Sequence, residues 1–136
     1  MLRRNFSYVD SNDEPHTVVA IIHAPQKQER NKNAVPSQPD TYSCAFQVTG
    51  GDLRINGMGF GIDELAAVFA TLRDLRLELD KLGNRIGWLG NLGWTGIPRM
   101  VTLGSPIDVQ QRIEAVLDSE HKKHWDELQA RGDAKP

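Results

Sequence analysis

The chain has 136 residues, of which 39% are hydrophobic and 25% are charged, and its formal net charge is −2. This size and composition predict one globular domain over residues 1–136, and the charge gives no indication of a nucleic-acid partner. No apolar run approaches the ~18 residues of a membrane span, and no signal-peptide core follows Arg3 and Arg4. Cys44 is the single cysteine, so no internal disulfide forms and we expect a cytoplasmic protein.

Two β-hairpins are predicted in the first half of the chain. Residues 5–10 and 16–24 have the apolar patterns of strands and are separated by turn-forming residues. Residues 41–49 and 53–56 predict the second hairpin, joined by a turn at Gly50-Gly51-Asp52. The two-residue period of the third strand places four side chains on one face: Tyr42, Cys44, Phe46 and Val48.

A long polar segment, residues 25–40, lies between these hairpins. Its three prolines separate charged and amide side chains, and no periodicity is present. This pattern predicts a mobile polar loop, of the kind that is either filler or a binding element. We predict that Lys27, Arg30 and Lys32 in this loop contact a partner.

An amphipathic helix is predicted over residues 63–82. Asp63 suits its N-cap, and Gly83 suits a left-handed residue after its end. Apolar side chains recur every three or four residues, which favours packing on the sheet and leaves a dimer seam as the alternative. The predicted stripe contains Leu65, Val68, Leu72, Leu75, Leu79 and Leu82, with Phe69 beside it.

Residues 84–104 are rich in glycine and contain two tryptophans, Trp88 and Trp94. A brief strand near 86–89 and a turn are predicted here. Large aromatic side chains on glycine-rich backbone suit the anchoring of a protein partner, so both tryptophans are predicted partner-binding residues. The alternative is that one or both close the end of the core.

A second helix is predicted over residues 106–130, beginning with Ser105 as N-cap, and residues 131–136 are predicted to be a frayed tail. Its predicted buried stripe contains Val109, Ile113, Val116, Leu117 and Leu128. The order of elements predicts an α+β fold. We expect an antiparallel sheet of about four to six strands from the two N-terminal hairpins, covered by two long helices.

The glycines of the Gly57–Gly61 segment precede a helix, where phosphate-binding loops occur. Their G-x-G-x-G spacing matches neither the dinucleotide nor the P-loop motif, and Asp63 would repel a phosphate. We interpret the segment as a turn that needs positive φ angles.

Few other side chains suggest chemistry. His121 and His124 lie three residues apart, but a solvated helix face explains them without a metal. Cys44 with His16 or His23 as base is conceivable, although its apolar neighbours favour a buried, inert thiol. We therefore predict no catalytic residue, no metal and no cofactor.

Three motifs stand out together: Tyr42–Phe46, Gly61–Leu65 at the helix start, and Trp88 in a glycine-rich stretch that ends at Ile97-Pro98. They resemble motifs of a family of small bacterial proteins of unknown function. The resemblance covers about residues 5–100, although Ala66-Ala67 stands where such proteins commonly have a glutamine. It implies no established activity, but some members resemble immunity proteins encoded beside secreted bacterial toxins.

These observations lead to the hypothesis of a non-enzymatic protein-binding module of bacterial type, acting as an immunity protein that neutralises a toxin. One alternative is a small enzyme or ligand-binding domain that uses the Gly57–Gly61 turn. Another is a homodimeric accessory or structural protein, since the sequence leaves monomer and homodimer open. Neither nucleic acid nor a membrane is an expected partner.

Overall fold

The computed structural model describes residues 1–30, 33, 35–99 and 106–132. It confirms the α+β class and the antiparallel sheet, which in the described residues has seven strands. The predicted cap Ser105 and residues 133–136 of the predicted tail lie outside this range. The strands are β1 (Leu2–Val9), β2 (Pro15–Ile22), β3 (Gln26–Lys27), β4 (Tyr42–Gly50), β5 (Leu53–Gly61), β6 (Ile86–Trp88) and β7 (Asn91–Leu92). The helices are α1 (Glu64–Asp80), the short 3₁₀ helix Gly83–Arg85, and α2 (Ile107–Ala130).

The sheet is built from antiparallel neighbours in the order β5-β4-β2-β1-β6-β7. The strand β3 continues beyond β2 along the same edge of β4, with Lys27 opposite Tyr42. Residues 23–25 lie opposite only two residues of β4, so a bulge containing Pro25 separates β2 from β3. Part of the segment predicted as a polar loop therefore belongs to the sheet.

Alternate side chains of β1, β2 and β4 form the face on which α1 packs. In all three strands the inward residues are even-numbered, as the two-residue period requires. The buried residues of this core include Phe6, Tyr8, Val18, Ala20, Ile22, Cys44, Phe46 and Val48 from the sheet and Leu75 and Leu79 from α1. Helix α1 thus covers the sheet face that carries the alternate apolar residues of β4, which the sequence pattern had placed on one side of that strand.

The predicted first helix is confirmed, but its buried face is only partly the predicted one. Asp63 caps it by accepting a hydrogen bond from the backbone N–H of Ala66 at 2.7 Å. Leu75 and Leu79 are buried, whereas Leu65 is 60% exposed, so its assignment to the core was wrong. The start of α1 instead turns its smaller residues, including Ala67, towards the sheet.

The prediction of a turn at Gly57–Gly61 is also wrong, because these residues form the second half of β5. None of the three glycines has a positive φ. Gly59 lies so close to α1 that a methyl group there would overlap the backbone nitrogen of Thr71. The glycines are therefore required for close packing of strand against helix, not for a turn or a ligand loop.

Helix α2 belongs to a second compact unit, residues 101–136. The predicted burial of its apolar stripe is wrong: Val109 and Leu128 are half-buried, and none of the residues that the structure describes in α2 is fully buried. Ile113, Val116 and Leu117 are 40%, 62% and 50% exposed. The spacing of these residues predicts an apolar face correctly but carries no information about what covers it.

Within the described ranges, no helix combines the length and the apolar composition needed to cross a bilayer.

Candidate functional site

The hairpin β6–β7 lies at one end of the sheet, beside β1. Trp88 pairs with Asn91, so Leu89 and Gly90 form a two-residue turn. Their φ angles are 51° and 78°, which is the left-handed pair that a type I′ hairpin turn requires. Two backbone hydrogen bonds extend the hairpin, from Trp88 N–H to the carbonyl of Trp94 and from Gly93 N–H to the carbonyl of Ile86.

Leu89 is an unusual residue for this turn. The left-handed conformation costs a non-glycine residue about 1–2 kcal/mol, and hairpin turns of this type favour asparagine, aspartate or glycine. Leu89 is nevertheless 72% exposed, so no buried contact compensates for the strain. Backbone strain of this kind is concentrated at functional sites, which makes Leu89 a candidate contact residue.

Leu92 and Trp94 extend the apolar surface around Leu89. They are 57% and 50% exposed, respectively. We call Leu89, Leu92 and Trp94 together the hairpin-tip surface. It combines a large aromatic side chain with two aliphatic ones on a short, hydrogen-bonded hairpin.

Trp88 supports this surface from the core side. Its ring centroid lies 5.5 Å from that of Trp94, and the two planes are tilted by 40°. The guanidinium of Arg4 lies 3.7 Å from the centroid of the Trp88 ring, in cation–π geometry. Gly96, at φ 66°, lets the backbone pass against the same ring, where any side chain would overlap it. Of the two predicted anchors, Trp94 is therefore the exposed one and Trp88 is partly buried.

Sequence reasoning missed both Leu89 and Arg4. A signal for Arg4 existed, because it shares the alternation of Phe6 and Tyr8 and thus lies on the core face. The signal for Leu89 was its place between Trp88 and Gly90, where a two-residue turn forces the left-handed conformation. Recognising it required the register of a hairpin that the glycine-rich segment left undefined.

The predicted basic residues form a separate feature. Lys27 and Arg30 both pair with Asp40, at 3.2 and 3.6 Å. Arg30 also donates hydrogen bonds to the carbonyls of Val35 and Gln38. The described contacts of these two cations are therefore with other residues of the same segment. Lys32 lies outside the described residues.

The basic segment and the hairpin belong to different parts of the sheet, since β3 pairs with β4 and β6 pairs with β1. Ser7 pairs with both Gly87 and Thr17, whereas the basic segment begins at Gln26. Strand β1 thus lies between β6 and the line of β2 and β3, and Gln26 is six positions beyond Ala20, the partner of Arg4. The two predicted binding elements therefore do not form one continuous small patch.

A polar cluster joins the β1–β2 turn to its surroundings. Asp10, only 6% exposed, accepts hydrogen bonds from the backbone of Asn12 and Glu14 and lies 2.6 Å from His16 Nε2. Asp10, Glu14 and His16 also place possible metal ligands within 4.8 Å of one another. Since the carboxylate of Asp10 is already satisfied by these donors, the cluster is accounted for as turn structure.

Asp52, in the β4–β5 turn, ties that turn to the first hairpin. It accepts hydrogen bonds from the Tyr8 hydroxyl at 2.9 Å and from the Ser11 hydroxyl at 3.0 Å. The Tyr8 bond and then the Ser11 bonds lower the pKa of Asp52. The backbone N–H of Glu14, followed by the ring of His16, lowers the pKa of Asp10. Burial, followed by the bond to Asp52, raises the pKa of Tyr8.

These carboxylates are expected to make folding sensitive to acid. Their folded pKa values lie below the unfolded value of ~3.9, so the stabilisation is present above about pH 5 and disappears as pH falls through the folded values. Asp52→Asn should therefore flatten the loss of stability between about pH 5 and pH 3. Urea midpoints measured across this range test the effect, with Asp13→Asn in the β1–β2 turn as the matched control. Equal acid dependence in the two variants would contradict the role given to Asp52.

The predicted inert character of Cys44 fits its surroundings. The side chain is fully buried, and its thiol donates a hydrogen bond to the backbone carbonyl of His23 at 3.2 Å. His16 is bonded to Asp10 instead of to the thiol. The geometry thus offers no cysteine–histidine pair among the described residues.

Comparisons with known proteins leave the family open. No family model matches the chain, and no solved structure is significantly similar to it. A UDP-N-acetylglucosamine 1-carboxyvinyltransferase of Gluconobacter oxydans (strain 621H) is 35% identical over 79 residues, which is 57% of this chain. The match spans only 18% of that enzyme's length.

Proposed function

We propose that this protein is a non-enzymatic protein-binding module whose contact surface is the hairpin tip. The observation that carries the proposal is Leu89, which is both strained and largely exposed at the turn. Folding alone favours a different residue there, so an apolar side chain at this position is best explained by a partner that covers it.

The neighbours of Leu89 support the same interpretation. Trp94 presents an exposed aromatic ring, the residue type most often found among the dominant contacts of interfaces. Its ring rests on Trp88, which Arg4 and Gly96 hold in place, so little side-chain freedom is lost on binding. The hairpin therefore offers an apolar and preorganised surface.

The variant Leu89→Asn separates binding from folding. Asparagine tolerates the left-handed conformation, so the free energy of unfolding should stay the same or rise by up to about 1 kcal/mol. Binding should weaken at least tenfold, because the apolar contact is lost. Calorimetric or chemical unfolding measures the first quantity, and quantitative capture of proteins from the native host by the tagged chain measures the second.

Two further variants complete this experiment. Trp94→Ala should weaken capture of the same protein, whereas Leu77→Ala, which removes a side chain 55% exposed on α1, should not. Capture that is equal for the wild type, Leu89→Asn and Trp94→Ala would exclude the hairpin tip as the contact surface. The proposal would also be contradicted if every protein captured by the wild type were captured equally well by Leu89→Asn and Trp94→Ala, or if the wild type captured no protein.

The role as an immunity protein for a secreted toxin is the narrower part of this proposal. It is supported by the motif resemblance alone. Identification of the captured protein as a toxin is the observation that would decide it. The proposed compartment is the cytoplasm, where the single thiol of Cys44 would stay reduced. The enzyme alternative based on a Gly57–Gly61 turn loses its support, since those residues form a strand packed under α1.

A further inference from the structure

A cavity of about 310 Å³ lies between α1 and the centre of the sheet. Its apolar walls come from the core, and its outer rim includes the first residues of β1 and the segment 96–98. The lining consists of Leu2, Arg3, Arg4, Phe6, Ala20, Ile22, Leu72, Leu75, Gly96, Ile97 and Pro98. The cavity shares Arg4 and Gly96 with the support of Trp88 but is distinct from the exposed hairpin tip.

The space has a local cause in β2. Val18, Ala20 and Ile22 face the core in succession, and the middle residue is the smallest. Ala20 pairs with Arg4 on one side and with Val48 on the other. A larger aliphatic residue at position 20 would occupy part of this space, so the small side chain of Ala20 contributes to the cavity.

The rim carries positive charge and no negative charge. Arg4 donates one hydrogen bond, to the carbonyl of Thr95 at 3.2 Å, and rests on the Trp88 ring. A guanidinium has five N–H donors, so most of them stay available. Within the described residues no carboxylate pairs with Arg3 or Arg4, and none lines the cavity.

We propose that this cavity binds a small ligand with an apolar body and a single carboxylate, which Arg4 receives at the rim. The volume is about twice that of a ~150 Å³ cavity known to hold benzene, so a bicyclic aromatic body fits the available space. Apolar walls with one convergent charged group are typical of small-molecule sites. This inference goes beyond the proposed protein-binding function and does not depend on it.

The experiment uses 1-naphthoate and its neutral isostere 1-naphthamide as probes. Isothermal titration calorimetry on the full chain gives both dissociation constants, and amide NMR shifts at Ala20 and Ile97 locate the bound probe. We expect 1-naphthoate to bind at least tenfold more tightly than 1-naphthamide. Equal affinities, or no binding of 1-naphthoate, would overturn the proposal.

Three variants assign the effect to the cavity. Ala20→Leu should weaken binding of both probes at least tenfold because it occupies part of the space, and Arg4→Met should remove the preference for the carboxylate while 1-naphthamide still binds. Retained binding of 1-naphthamide then shows that Arg4→Met remains folded. Arg54→Met, at an exposed position on β5, is the matched control and should leave both constants unchanged. Full 1-naphthoate binding by Ala20→Leu would refute the assignment.

Discussion

Replacing Leu79 with alanine is expected to lower the free energy of unfolding by about 2–5 kcal/mol. Leu79 is completely buried between α1 and the sheet, so its truncation removes buried apolar area and leaves a cavity that the close-packed core fills only partly. Chemical denaturation of residues 1–136 measures the loss.

Leu65→Ala is the matched control for Leu79→Ala. Both changes remove the same atoms from the same helix, but Leu65 is 60% exposed. Its truncation should change stability by no more than about 0.5 kcal/mol. Equal losses at the two positions would mean that α1 packs on the sheet through the full leucine stripe, against the arrangement described above.

The difference between these two leucines shows where sequence patterns stop being informative. The period of apolar residues and the capping residue Asp63 are local signals, and they located α1 to within a few residues. The direction of its buried face depends on β5, which presents glycines instead of side chains at Gly59 and Gly61. Small residues of α1 consequently meet the strand, and Leu65 is turned outwards.

As with α1, the sequence identified the segment that contains the candidate site but not which of its side chains are exposed. Trp88 and Trp94 were recognisable as unusual aromatic residues on glycine-rich backbone, but their different exposure depends on Arg4, more than 80 residues away in the sequence. Leu89 became noticeable only once the pairing of β6 with β7 defined its turn. Interactions between distant segments thus decided the site, whereas local patterns decided the elements.

Gly59→Ala is the second change with a large expected effect. A methyl group at this position would overlap the backbone nitrogen of Thr71, and a backbone atom inside a helix cannot move aside as a side-chain end can. The helix and the strand would therefore have to move apart. This movement would weaken two hydrogen bonds, one from Gly59 N–H to Thr71 Oγ1 at 3.2 Å and one from the Thr71 hydroxyl to the Cys44 carbonyl at 2.7 Å. We expect a loss of about 3 kcal/mol in the free energy of unfolding.

Two comparisons make this prediction specific to the contact between β5 and α1. Asn56→Ala on the opposite, exposed face of β5 should change stability by less than about 0.5 kcal/mol. Gly57→Ala would instead overlap the ring of Phe46, so the additional truncation Phe46→Leu should relieve part of its cost. Thr71→Ser retains the backbone nitrogen and the hydroxyl, and it should therefore give no relief to Gly59→Ala. Rescue of Gly59→Ala by Thr71→Ser would show that the clash involves the methyl group of Thr71 and not its backbone nitrogen or Oγ1.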